Sequence, residues 1–399
     1  MKLEESEFSD WVKIPAKMQS HFFELAEKQA KKVKAKLLRD KEKLSALSKV
    51  LAFSSITDND EWKDWRIAVV DGSDSPVMSE RIGGRFGTYG ATYHIFQGLE
   101  LAEEEYYSGD YSEYQIGNPD ASMKMLTLLT AKLERETAID CLSKDVDLII
   151  IDGSFFGFRP NCRILHRHQF TDGLFRTGLE LVRYVRDLSV KLLESGKAVG
   201  IIKRVQSSAL DGWSIFRNGD DKLLLNWNDK EILSSLLREG EFFSYETAFE
   251  DPIAFNYYTR LAVAYSLYAL NLDRSMDSIL KAVKGDVHRN IKKDLDCEPE
   301  LILRTARHYV RCAYPAPAFC VETPLGFDLA PVLALFKASC NKATGLPIQL
   351  DLTDQDVTIP AGFTREFVEE IEARLAKDPE LDKYELENHF GSLNPQKQE

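Results

Sequence analysis

The chain has 399 residues, of which 44% are hydrophobic, and it carries a formal net charge of −13 at pH 7. This length predicts two domains, or one large domain with excursions. The acidic charge argues against a broad nucleic-acid-coating surface, but it is compatible with a local basic groove.

Two further classes of protein are disfavoured by the distribution of residues along the chain. No apolar run reaches the length of a membrane span, and residues 1–13 are acidic and polar rather than a signal peptide. We therefore expect a cytoplasmic protein without a membrane partner. The six cysteines are scattered without Cys-x-x-Cys spacing, which favours buried small hydrophobes over a zinc site.

Residues 1–60 predict an N-terminal helical arm. Apolar residues recur at helical spacing over 15–50, and Lys28–Lys43 is strongly basic. A solvated helix face with snorkelling lysines accounts for this pattern. The alternative is an arm that contacts phosphates or a protein partner.

Two segments of the same character form the central motif of the sequence. Arg66–Ser73 and Asp147–Ser154 each contain a short apolar, mostly β-branched run that ends in Asp-Gly-Ser. Such runs predict strands buried on both faces, after which the glycine permits a tight turn. Asp71 and Asp152 then lie at the ends of two core strands. Their oxygens predict a site for a hard divalent cation such as Mg²⁺ or Mn²⁺, and simple turn chemistry is the alternative.

A helix predicted over 122–142 precedes the second motif. Its apolar stripe continues at helical spacing onto Glu136, which is a candidate third ligand, and Glu134 lies beside that stripe. A solvent-exposed glutamate at the helix end is the alternative.

The later part of the chain contributes basic candidates. A strand over 198–202 closes on Lys203 and Arg204, where a lysine can neutralise a phosphate or a leaving oxygen. Residues 301–312 and 318–323 predict a half-exposed antiparallel pair, and glycine breaks over 78–97 predict a hairpin. The candidate contacts to a phosphate backbone, for which solvent-exposed charge is the alternative, are Arg81, Arg85, Arg204, Arg304, Arg307 and Arg311.

The order of these features resembles the NurA nuclease family. The resemblance implies an α/β fold, with an RNase H-like mixed sheet flanked by helices, an N-terminal helical arm and a helical insertion. The nuclease domain would span 61–380, with the insertion at about 205–300. Residues 381–399 would form a flexible tail.

Position by position, the resemblance makes Asp71 and Asp152 metal-binding carboxylates and Lys203 the strand-end lysine, and Glu134 or Glu136 is the helix glutamate. The family motif Gly-Tyr-Pro-x-x-Leu-x-x-Ala-His falls on 345–354. Leu346 then replaces the tyrosine, and Asp354 replaces the histidine as a metal ligand. Asp351 and Asp356 are the alternatives for this position.

The resemblance further implies a two-metal phosphodiesterase that requires Mn²⁺ or Mg²⁺ and in which Asp71 bridges the ions. The activity would be a 5′-to-3′ exonuclease with single-strand endonuclease activity in DNA end processing. The protein would act as a homodimer docked on a HerA-like hexameric ATPase. An actin-like ATPase or kinase and a non-catalytic nuclease-like scaffold are the alternatives.

Overall fold

The computed structural model describes residues 14–171, 173–219, 222, 224–269 and 275–393. Within these residues the strands are β1 (Ser54–Ser55), β2 (Arg66–Asp74), β3 (Ser79–Glu80), β4 (Gly84–Gln97), β5 (Glu100–Tyr114), β6 (Leu148–Asp152), β7 (Ala198–Ile202), β8 (Glu241–Ser244), β9 (Thr305–Arg311) and β10 (Phe319–Pro324).

The helices of the described residues surround these strands. They are α1 (Ala16–Ser48), α2 (Pro119–Leu142), α3 (Arg159–Leu165), α4 (Gly178–Glu194), α5 (Ala209–Asn218), α6 (Asp229–Leu236), α7 (Tyr245–Phe249), α8 (Ala254–Ala269), α9 (Met276–Leu295), α10 (Ala330–Ala338), α11 (Ile348–Val357), α12 (Phe363–Leu375) and α13 (Lys383–Phe390).

All ten strands belong to one sheet, in the order β1-β8-β9-β10-β7-β6-β2-β4-β3, with β5 paired to β4. The central strands β2, β6 and β7 are parallel neighbours, whereas β4 and β10 join this group antiparallel. The sheet is therefore mixed and flanked by helices, as an RNase H-like α/β fold requires. This confirms the predicted fold class.

The central strand β2 is buried on both faces, as its apolar run predicts. Ile67 and Val69 pack in a cluster with Leu350 of α11, while Ala68 and Val70 pack with Ala138 of α2. Burial on both faces explains why the sequence of this strand is continuously apolar rather than alternating.

The two Asp-Gly-Ser motifs have different local structures. At Gly153 the backbone has a φ of +101°, so a turn follows β6 as predicted. By contrast, β2 does not end at Asp71, because its pairing with β4 continues from Asp71 opposite Thr92 to Asp74 opposite Tyr89. The expectation of a turn at the first motif is wrong, and Gly72 is an extended residue of the strand.

Three other local expectations are corrected by the structure. Residues 103–119, whose acidic composition predicts a turn-rich excursion, mostly belong to β5, an exposed strand paired along the length of β4. The pair β9–β10 is present, but it is buried rather than half-exposed. The region 205–300 contains the short strand β8 as well as helices. Charged side chains on an exposed edge such as β5 are a common protection against pairing with other chains.

The two ends of the described chain differ in their packing. The predicted N-terminal helix is present as α1, and Leu44 and Leu47 near its end pack against the main core. At the other end, Lys383–Phe390 is helical where the sequence predicts a flexible tail. Buried Phe390 stacks on Phe86 with ring centroids 6.0 Å apart, and residues 394–399 lie outside the described residues.

Membrane spans were sought among the helices of the described residues. None of these helices combines the length and the apolar composition that crossing a bilayer demands.

Candidate active site

Three carboxylates from distant parts of the chain meet at one end of the central strands. One oxygen from each of Asp71, Asp152 and Asp354 lies within 4.8 Å of the other two. Val70 of β2 pairs in parallel with Ile151 of β6, so Asp71 and Asp152 are the next residues on adjacent strands. Asp354 approaches from α11. The three residues, called the acidic triad below, could hold a metal ion.

Lys203 lies at the same place. It follows β7, the parallel neighbour of β6, and its Nζ lies 2.8 Å from Asp152 Oδ2 and 2.8 Å from Asp354 Oδ1. The ammonium group therefore neutralises one of the three negative charges. Two charges of the triad remain without a neutralising side chain in this contact.

Burial and the close approach of the charged groups shift the pKa values of the aspartates and of Lys203. Burial raises the pKa of Asp71 well above its ordinary value, and the carboxylates of Asp152 and Glu134 raise it further. Burial also raises the pKa of Asp152, against the opposing effect of Lys203. Burial by itself lowers the pKa of Lys203, but the carboxylates of Asp152, Asp354 and Asp71 outweigh it and raise that pKa above the ordinary lysine value.

These shifts indicate which ligand fits the site. The lysine stays charged, while the buried carboxylates repel one another when all are ionised. A divalent cation would neutralise that charge, and an all-oxygen donor set is the one preferred by Mg²⁺ and Mn²⁺. The residues present thus fit a hard divalent metal.

Glu134 is the helix glutamate that reaches this site. Its side chain is buried, and burial, followed by the effect of Asp152, raises its pKa, while the neighbouring guanidinium of Arg135 lowers it. Arg135 donates to the Glu134 carboxylate and, over 2.9 Å, to the carbonyl oxygen of Ser154. Glu134 is thereby held between the first and the second Asp-Gly-Ser motif.

Glu136 does not join the acidic triad, and its assignment as a ligand is corrected. Its carboxylate accepts hydrogen bonds from Lys132 Nζ at 2.7 Å and from Tyr184 Oη at 2.9 Å. The buried side of α2 runs through Thr130, Glu134 and Ala138 rather than along the line that the apolar stripe suggested. The stripe was misleading because α2 packs on both the sheet and α4.

The structure also separates the three aspartates of α11. Asp351 accepts hydrogen bonds from Asn341 Nδ2 and Thr344 Oγ1, both at 2.6 Å. Asp356 Oδ2 lies 3.6 Å from His94 Nε2. Only Asp354 of the three lies in the acidic triad, in agreement with the frame of the family motif.

Two of the predicted DNA-contacting arginines are buried structural residues. Arg85 donates to the carbonyl oxygens of Gly117 at 2.7 Å and Gln115 at 2.9 Å. Arg311 donates to the carbonyl oxygens of Ser234 at 2.6 Å and Leu237 at 2.9 Å. Their guanidinium groups close loops of the fold, so the prediction that they contact DNA is corrected.

The other four predicted arginines are distributed over the surface. Arg304 is exposed and lies 3.6 Å from Glu194, whereas Arg307 is bound to Glu322 at 2.9 Å. Arg81 is half-buried, and its backbone forms an isolated antiparallel β-bridge with Ser392. Arg204 is exposed and follows Lys203 in the sequence. Arg304, Arg307 and Arg311 therefore do not form one continuous row.

Sequence reasoning missed Glu322 of β10. Its Oε2 accepts hydrogen bonds from Ser154 Oγ at 2.7 Å and from the Phe155 amide at 2.9 Å, which fixes the chain after the second motif. The available signal was a carboxylate inside the apolar run that begins at Phe319. A charge in a buried strand requires partners, and here they are Arg307 and Ser154.

The chain was compared with protein-family models and with known proteins. The model of the NurA domain matches residues 26–284, which is more than half of the chain. The chain belongs to the NurA domain family. Membership of this family supports a nuclease function, and no curated protein matches the chain.

A solved nuclease structure shares the fold of this NurA-family chain, and two further structures match it at lower TM-scores. The NurA nuclease from Sulfolobus solfataricus is 14% identical with a TM-score of 0.58, and the match covers 92% of this chain and 100% of that one. NurA bound to dAMP and manganese is 13% identical with a TM-score of 0.42, covering 94% and 99%. Human ENDOV is 11% identical with a TM-score of 0.34, covering 83% and 99%.

Proposed function

We propose that this protein is a metal-dependent deoxyribonuclease. The observation that carries the proposal is the acidic triad, whose oxygens converge within 4.8 Å at the end of the central strands in a chain of the NurA family. Mn²⁺ or Mg²⁺ is the cofactor that suits these ligands. Glu134, held beside Asp71, completes the set of carboxylates.

Each residue has a role in this proposal. Asp71, Asp152, Asp354 and Glu134 would hold two divalent cations. When bound, such a pair of ions stabilises both the attacking and the leaving oxygen of an in-line phosphodiester displacement. Lys203 keeps its proton and places a positive charge beside the carboxylates, where it offsets charge that develops on the phosphate.

The resemblance to the family supports a finer proposal. The protein degrades DNA from 5′ to 3′ and cuts single strands internally, in DNA end processing. It works as a homodimer docked on a HerA-like hexameric ATPase. The exposed helix α1, with its basic residues, is available for a contact with the partner or with DNA.

The test is an incubation of purified protein with end-labelled single- and double-stranded DNA in Mn²⁺, Mg²⁺ or EDTA. We expect degradation with either metal, none in EDTA, and a loss of at least about 100-fold in Asp71→Asn and Asp152→Asn. Asparagine keeps the shape of the side chain and removes its charge. Absence of degradation in every metal, with and without a HerA-like ATPase, would contradict the proposal.

A further inference from the structure

A cavity of about 450 Å³ is lined by residues that closely follow Asp152 and Lys203 in the sequence. Its wall contains Ser154, which lies two residues after Asp152, and Arg204, which follows Lys203. Its volume is typical of a small-ligand pocket. Apolar side chains, among them Phe156, Ile202 and Phe255, line part of it.

The lining of this cavity has more positive than negative side chains, although carboxylates outside the lining lie 3.9 Å from Arg159 (Asp294) and 3.7 Å from Arg260 (Asp286). Arg159, Arg204, Arg260 and Arg307 line it, and Glu322 is the one carboxylate among the lining residues. Glu322 already accepts hydrogen bonds from Arg307 Nε at 3.0 Å and from Ser154, so it does not neutralise the other three guanidinium groups. Such an excess of positive charge attracts an anion.

Several donors of the cavity lack good partners. Arg260 Nε and Thr259 Oγ1 are buried without a hydrogen-bond partner in the described part of the chain. Arg159 Nε lies 3.9 Å from Asp294, which is an ion pair without a close hydrogen bond. Burial lowers the pKa of Arg159, as does nearby Arg307, while Asp294 opposes the shift. Buried unpaired donors are costly, and an anion would satisfy them.

The position of the cavity suggests the source of the anion. Consecutive Cα atoms are about 3.8 Å apart, so the Cα atoms of Asp152 and Ser154 are separated by no more than about 7.6 Å. Successive phosphates of one DNA strand advance by about 3.4 Å along the helix axis. A strand with its scissile phosphate at the triad can therefore reach this cavity within a few nucleotides.

We propose that this cavity binds the 5′-terminal phosphate of the DNA strand being degraded. The inference rests on the proposed function, because digestion from 5′ to 3′ places the 5′ end just beyond the scissile bond. A terminal phosphate monoester carries about −1.5 to −2 charges at pH 7, more than an internal diester, and it suits a site lined by several guanidinium groups. The cavity thus selects phosphorylated 5′ ends.

The first test measures binding without catalysis. Fluorescence anisotropy in EDTA compares internally labelled oligonucleotides of one sequence that carry a 5′-phosphate, a 3′-phosphate or two hydroxyl ends. We expect the full-length protein to bind the 5′-phosphorylated strand about tenfold more tightly than the other two. Equal affinity for the three strands overturns the inference, and a preference for the 3′-phosphate overturns the assignment of the 5′ end.

Two cavity variants and a control variant test whether the preference for the 5′-phosphate arises in this cavity. Arg204→Gln, at an exposed position, and Arg204→Gln/Arg260→Gln should reduce or remove the preference for the 5′-phosphate. The control is Arg183→Gln on α4, whose side chain is bound to Asp296 over 2.7 Å outside the cavity and should leave the preference unchanged. A preference that persists in both cavity variants overturns the assignment to this cavity.

A second measurement separates this inference from the proposed function. Circular single-stranded DNA has no end, so its cleavage by the wild-type protein in Mn²⁺ reports the nuclease alone. Cleavage of the circle without any preference between 5′-phosphorylated and 5′-hydroxyl linear strands overturns the inference and leaves the nuclease standing. Failure to cut circular or linear DNA, with or without the proposed ATPase partner, contradicts the proposed function, and the inference falls with it.

Discussion

Gly72 and Glu134 lie in contact where β2 meets α2. A Cβ atom added to Gly72 would lie 3.4 Å from both Cβ and Oε2 of Glu134, and 3.1 Å from Thr130 Cγ2. The glycine of the first Asp-Gly-Ser motif thus lets the helix approach the strand closely. This approach brings Glu134 beside Asp71, where its carboxylate raises the pKa of Asp71 after the larger effect of burial.

The first prediction concerns this contact. Gly72→Ala should lower both nuclease activity and the free energy of unfolding, the latter by about 1 to 3 kcal/mol, because the added methyl group overpacks the interface. Thr130→Ser removes the nearest atom, Cγ2, and the double variant should recover part of both losses. Urea denaturation and DNA degradation are the measurements. If Gly72→Ala kept the stability and the nuclease activity of the wild type, the contact between β2 and α2 would not require glycine at this position.

The second prediction distinguishes the two glutamates of α2. Glu134→Gln should reduce metal-dependent DNA degradation by at least about 100-fold, since it removes a carboxylate beside Asp71. Glu136→Gln is the matched control and should stay within about threefold of the wild type, because Glu136 bonds to Lys132 and Tyr184 instead. The reverse order of the two losses would refute the assignment.

The sequence predicts the two strand aspartates more firmly than it predicts whether Glu134 or Glu136 is the helix ligand. Asp71 and Asp152 were predictable, because each follows a continuous, mostly β-branched run that predicts a buried strand, although β2 continues beyond Asp71. The helix offered no such constraint. Residues 134 and 136 are separated by about 200° around α2, and the face that α2 packs against the sheet decides which of them reaches the site.

The arginines show a second limit of sequence reasoning. Arg85 and Arg311 differ from exposed Arg204 only in their surroundings, since their partners are carbonyl oxygens of residues that are distant in sequence. A guanidinium group on a predicted strand can face solvent or close a buried loop. The sequence contains no local signal for the second case, whereas the family motif at 345–354 did place Asp354 correctly in the acidic triad.

The third prediction follows from the raised pKa of Asp71. The folded state holds the Asp71 proton more tightly than the unfolded state, so this stabilising effect is complete below the ordinary value of 3.8 and is lost as pH rises through the higher folded pKa. Without metal, Asp71 therefore destabilises the fold at pH values above its ordinary pKa. In EDTA, Asp71→Asn should raise the Tm by about 2 °C at pH 7 and by less below pH 4.

Added metal should reverse the order of the Tm values of the wild type and Asp71→Asn. Saturating Mn²⁺ should raise the Tm of the wild type and have little effect on Asp71→Asn, because binding to the folded state alone stabilises it. Differential scanning calorimetry at both pH values provides the measurement. A lower Tm for Asp71→Asn in EDTA at pH 7 would contradict the electrostatic account.

The fourth prediction concerns Arg85. Arg85→Ala should lower the free energy of unfolding by about 2 kcal/mol, because it removes hydrogen bonds to Gly117 and Gln115 and leaves half-buried carbonyl groups without their donor. The salt dependence of DNA binding should not change. A residue that contacts a phosphate would instead reduce the slope of log K against log salt by about 1 when it is removed. Such a reduction in Arg85→Ala would show that Arg85 contacts DNA and would contradict its assignment as a structural residue.

The central claim is that Asp71, Asp152 and Asp354 form one metal site. Isothermal titration calorimetry with Mn²⁺, in the absence of DNA, tests it most directly. We expect Asp71→Asn, Asp152→Asn and Asp354→Asn each to weaken binding at least about tenfold, while Asp356→Asn on the same helix binds as the wild type does. Unchanged Mn²⁺ affinity in all three triad variants would contradict the account.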